Sequence, residues 1–64
     1  MSEREVMLEL LEQLQATLND VQEDATKFSE KGNKAAGTRV RKQMQTIKSL
    51  AQNVRVAVSE ANNA

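Results

Sequence analysis

Two runs of apolar residues share one spacing. Met7, Leu11, Leu14, Leu18, Val21, Ala25 and Phe28 recur at intervals of 4, 3, 4, 3, 4 and 3. Val40, Met44, Ile47, Ala51, Val54, Val58 and Ala61 repeat that series without a break. Alternating steps of three and four place a side chain on the same stripe of an α-helix, so each run predicts an amphipathic helix. The first helix is expected over about residues 3–30 and the second over about 34–61, with a turn at 31–33. Ser2 followed three residues later by Glu5 is a capping-box start for the first. Gly32 suits the left-handed residue that closes it, and Asn33 suits the N-cap of the second. A cap at Thr38 after a longer loop is the competing start, and a single continuous helix through both glycines is the competing architecture. A stop residue followed directly by a start residue favours an antiparallel hairpin. The chain is therefore read as all-α, one helical-hairpin domain over residues 1–64.

The apolar stripe is wider than one neighbouring helix can cover. Leu10, Ala36, Leu50 and Ala57 each precede a stripe residue, and Leu8 follows one. A lone hairpin is expected to leave Leu10 and Leu50 in water, whereas two hairpins packed as a four-helix bundle would cover them. The expected core and dimer residues are Met7, Leu10, Leu11, Leu14, Leu18, Val21, Phe28, Val40, Met44, Ile47, Leu50 and Val54. Size points the same way. A chain of 64 residues buries little, and without cysteine or histidine neither a disulfide nor a common zinc site can hold it. Association with a second copy remains.

Composition removes several functions. With no histidine or cysteine, no familiar nucleophile–base set converges, and no cofactor, metal or small-molecule substrate is expected. Glu5, Glu9 and Glu12 lie at helical spacing on the outer face and read as solvated surface. Gly32 and Gly37 have the spacing of a phosphate loop, but Thr38 stands where its lysine belongs. No run approaches a membrane span, and the acidic N-terminus lacks a secretory pattern, so a cytoplasmic location is expected.

The net charge of zero conceals a division. Residues 1–24 carry seven acids and one base, and residues 25–55 carry eight bases and one acid. Lys34, Arg41, Lys48 and Arg55 recur every seven residues, which draws a basic line along the second helix beside its apolar stripe. Lys31, Arg39 and Lys42 add to it near the turn. At the core-flanking positions of the first helix only Asp24 is acidic, so the line is mostly unmatched within the fold. Double-stranded DNA is the natural partner for such a line, because phosphate contacts release counterions. Phe28 is the one aromatic and is expected in the core, which disfavours recognition of single strands by stacking. A helical module that docks a protein partner through its acidic first helix, with Glu9, Glu12 and Glu23 as the sensitive positions, is the alternative.

The turn adds a resemblance. Glu30-Lys31-Gly32-Asn33-Lys34-Ala35-Ala36-Gly37-Thr38-Arg39-Val40-Arg41-Lys42 resembles the Glu-Lys-Gly-Asn-Lys-Ala-Ala-x-x-Arg-x-Arg segment of the chlamydial linker-histone-like, DNA-condensing proteins, and more closely their short Bacteroidetes-type relatives. The likeness continues more loosely through the second helix. It implies a nucleoid-associated protein with a dimerising helical part. Chlamydial members carry a long Lys/Ala-rich tail as their main DNA-binding element, whereas this sequence closes on Ser59-Glu60-Ala61-Asn62-Asn63-Ala64. Strong condensation of DNA is therefore not expected: the helical body is expected either to bind DNA weakly or to keep only the dimerisation role.

Overall fold

A computed structural model describes residues 2–63. Two helices account for nearly all of it: α1, Glu3–Lys31, and α2, Lys34–Asn63. The Ser2 side chain accepts the Glu5 amide at 3.2 Å and so caps α1. At the other end Gly32 takes φ 63° and ψ 29°, and its amide donates to the Phe28 carbonyl at 3.0 Å. A side chain at that φ would be strained, which is why glycine ends the helix. Asn33 then starts α2, its Oδ1 accepting the Ala36 amide at 3.1 Å. Thr38 is already inside the helix, donating its hydroxyl to the Lys34 carbonyl at 3.2 Å. The cap therefore lies at Asn33, and α2 continues two residues beyond the expected end.

With a two-residue break the helices fold back on each other as an antiparallel hairpin of 49 × 15 × 13 Å. Its radius of gyration is 14.7 Å, against roughly 10.7 Å for a compact domain of this length.

The seam between the helices corrects the expected one by a column. Each helix carries a central apolar column at seven-residue spacing, flanked by an inner and an outer column. The central columns, Met7, Leu14 and Val21 on α1 and Val40, Ile47, Val54 and Ala61 on α2, are half-buried. Beside them the hairpin turns inward Leu10, Thr17 and Asp24 from α1, and Ala36, Gln43, Leu50 and Ala57 from α2. Leu50 is only 8 % exposed and Leu10 is half-buried, so neither is left in water. The outer columns are exposed instead: Leu11 and Leu18 on α1, Met44, Ala51 and Val58 on α2. Phe28, expected in the core, is 49 % exposed.

Small side chains and satisfied polar groups explain the choice. Ala36 and Ala57 let the helices approach closely, and Ala36 is fully buried. Thr17 donates its hydroxyl to the Gln13 carbonyl at 2.9 Å, which satisfies it within its own helix. Asp24 finds partners across the seam: Gln43 Nε2 donates to it at 2.9 Å and Arg39 Nε at 3.1 Å. A buried carboxylate paired across the seam with Arg39 and Gln43 opposes rotation of the helices, which would leave it unpaired by them.

Gly37 is the second glycine with a structural reason. A Cβ there would lie 2.7 Å from Cδ2 and 2.8 Å from Cε2 of the Phe28 ring, so the ring rests on the bare backbone of α2. Gly→Ala in a helix ordinarily stabilises by about 1 kcal/mol. Here Gly37→Ala is expected to gain little or to destabilise, because the ring must leave its seat. In a Phe28→Ala background the same change should recover about 1 kcal/mol. Denaturant unfolding of the four proteins measures this coupling, and equal gains in both backgrounds would show that the ring contact carries nothing.

Candidate nucleic-acid interface

Lys34, Arg41, Lys48 and Arg55 are all exposed and form one edge of α2. Their column lies next to the outer apolar column that includes Met44 and Val58. The corresponding edge of α1 carries Leu8, Gln15, Gln22 and Ser29, none of them charged. Two shallow grooves lie on this face of the hairpin, one near each end. The one by the turn, about 520 Å³, is bordered by Ala25, Phe28, Ser29, Lys34, Gly37, Thr38, Val40 and Arg41. The far one, about 390 Å³, is bordered by Arg4, Met7, Leu8, Val58, Ala61 and Asn62. Most α1 acids, among them Glu5, Glu9, Glu12 and Glu23, lie on the back of α1, away from this face.

The seven expected DNA-contacting residues do not form one group. Lys34, Arg41, Lys48 and Arg55 form the edge, and Lys31 stands at the tip in the last turn of α1. Lys42 is turned by about 100° from Arg41 and leaves the edge. Arg39 is engaged on the opposite side of the seam, its Nη2 3.0 Å from Asp24 Oδ1. Among the described residues the other ion pair is Lys27 with Glu23 at 3.8 Å, within one turn of α1. Among the described residues the edge cations thus have no carboxylate within ion-pair distance.

The Asp24–Arg39–Gln43 clamp was only partly visible in the sequence. Asp24 was legible as the one acid beside the core, but Gln43 was not singled out. Its signal is a polar residue recurring in step with Ala36, Leu50 and Ala57. Gln43 Oε1 is buried and has no partner among the described residues. The hydrogen bonds from Arg39, and next from Gln43, hold the Asp24 carboxyl below its ordinary value of 3.8. A carboxylate with a lowered value contributes stability that is complete above the ordinary value and is lost as pH falls through the folded one. Thermal melts in acid should therefore show Tm falling over that window, and Asp24→Asn should flatten this part of the profile. An unchanged profile in the variant would show that the clamp is not coupled to folding.

Among the described residues no group of three carboxylates could hold a metal ion, and no helix is long and apolar enough to cross a membrane. The structure is thus an all-α antiparallel hairpin with a basic edge on α2 and most of the acids of α1 on its back. The chain is a member of the histone H1-like protein Hc1 family, whose sequence model matches residues 8–64. The family resemblance carried by the Lys31–Arg41 stretch is thereby borne out, and the match takes in α2 and most of α1. No curated protein and no solved structure matches the chain.

Proposed function

We propose that this histone-like chain is a nucleoid-associated protein of the bacterial cytoplasm that binds duplex DNA through phosphates, with little preference for sequence. The observation that carries this reading is the edge of four exposed cations without an acid beside them. A line of point charges on flexible stems reads the backbone, not base edges. The acidic back of α1 repels the same polyanion and so orients the hairpin, edge first. Phe28 is accessible, but one aromatic per chain provides no row of platforms for successive bases. Duplex DNA titrated at about 50 mM salt should bind, and absence of binding under that favourable condition removes the reading.

The chain acts as a homodimer in this proposal, a four-helix bundle formed through the outer apolar columns. The hairpin alone has an unusually thin core. Among the described residues the buried apolar ones are Ala36, Leu50 and Ala57, and no large side chain is completely enclosed. Its accessible surface is 4989 Å², whereas a compact monomer of this mass exposes about 4,100 Å². The excess of roughly 900 Å² is close to the ~800 Å² that each partner contributes to a standard interface. Leu18 and Met44, 45 % and 43 % exposed, lie at the centre of that face.

A further inference from the structure

The layout of charge and side-chain size over the face also orients the second copy. Resting on the dimer reading above, we infer that two hairpins pack face to face with their turns at the same end, so that α1 of each chain lies over α2 of the other. Only two symmetric face-to-face arrangements keep neighbouring helices antiparallel. With turns at the same end, α1 covers α2 of the partner. With turns at opposite ends, α1 covers α1 and α2 covers α2.

Charge separates the two. In the opposite-end form the column Lys34, Arg41, Lys48 and Arg55 lies along the same column of the second copy, which lines up eight cations on one edge with no acid among them. Like charges facing each other across neighbouring helices oppose association. In the same-end form each basic column runs beside Leu8, Gln15, Gln22 and Ser29 of the other chain. Those residues carry no charge, and Leu8, which is exposed in the hairpin, can cover the aliphatic stem of an arginine.

Size separates them again. The outer column of α1 has two leucines, Leu11 and Leu18, while that of α2 has Gly37 and Ala51 between its larger residues. With the ends flush, the same-end form sets Leu11 and Leu18 on either side of Ala51 of the other chain, large against small. With the ends flush, the opposite-end form sets Leu18 against Leu18 and Leu11 against Ala25 along one helix pair, and Met44 against Ala51 along the other. Two leucines then meet at the middle of the α1 pair, where the same-end form sets large against small as a close-packed core prefers.

The consequence reaches DNA. Same-end packing gives the dimer one basic edge on each side and brings both basic turns, with Lys31 and Lys34 from each chain, to a single end. The opposite-end form would concentrate every edge cation on one side.

The chain has no cysteine, so Glu30→Cys at the exposed end of α1 offers a single site for a nitroxide label. Electron–electron distance measurement on the DNA-free protein should give about 25 Å or less, since adjacent helices lie 8–10 Å apart. Turns at opposite ends would give a separation of about 40 Å, set by the helix length at ~1.5 Å per residue. A long distance in a sample that sediments as a dimer overturns the orientation and leaves the dimer reading intact. A sample that sediments as a monomer overturns both.

Discussion

Leu50→Ala is expected to leave the chain largely unfolded at 25 °C. Among the described residues Leu50 is the one large apolar side chain that is buried, 8 % exposed, in the middle of the seam. Truncating a buried leucine costs about 2–5 kcal/mol, the removed surface and the residual cavity together. A chain of this length has roughly 3–10 kcal/mol of stability at 0.05–0.15 kcal/mol per residue. The thin core leaves few neighbours able to close around the gap. Val56→Ala is the matched control, because Val56 is 43 % exposed and points away from the seam. It should change stability by no more than about 0.5 kcal/mol. Helical circular dichroism through a thermal melt reads both variants, and a cooperative Leu50→Ala melt near that of the parent would contradict the seam described.

The second large effect comes from residues that the hairpin itself leaves in water. Leu18→Glu with Met44→Glu places two carboxylates on the outer columns, where a lone hairpin would accept them as ordinary surface. In a bundle the same pair would be buried against the partner, where an unpaired charge is strongly unfavourable. The double variant is expected to sediment as a monomer, to lose most of its helicity at micromolar concentration and to lose DNA binding with it. A variant that stays folded as a monomer and matches the parent in helix content would show that the hairpin needs no partner. The pair Leu10 and Leu50, which the sequence suggests for this test, would not serve, because both belong to the hairpin's own seam.

Most of the fold was legible because it rests on local chemistry. Ser2 with Glu5, Gly32 and Asn33 each fix a helix end through hydrogen bonds that span only a few residues. The helix ends accordingly lie within two residues of their expected places. The column that turns inward was not legible, and the reason is physical. Hydrophobicity favours Leu11, Leu18 and Ala25 over Leu10, Thr17 and Asp24 as the second seam column of α1. The hairpin takes the more polar column because Thr17 is satisfied within its helix and Asp24 is satisfied by α2. The better apolar column is then left on the outside. A tertiary hydrogen bond between residues 19 positions apart cannot be read from a periodicity. The basic edge was legible as a seven-residue repeat, whereas the withdrawal of Arg39 into the clamp depends on the same unread pairing.

The central claim is that the edge Lys34, Arg41, Lys48 and Arg55 meets the DNA backbone. Its most direct test is the salt dependence of duplex binding for the parent and for a variant with all four residues changed to Gln. Each phosphate neutralised contributes about −0.9 to the slope of log K against log salt, so one engaged edge predicts a slope near −3.6 for the parent. The variant should keep its helical content and dimeric mass while its slope falls close to zero and its affinity drops about a hundredfold or more at ~100 mM salt. A variant that binds with the parent's slope and affinity would contradict the account and place the DNA contact elsewhere on the molecule.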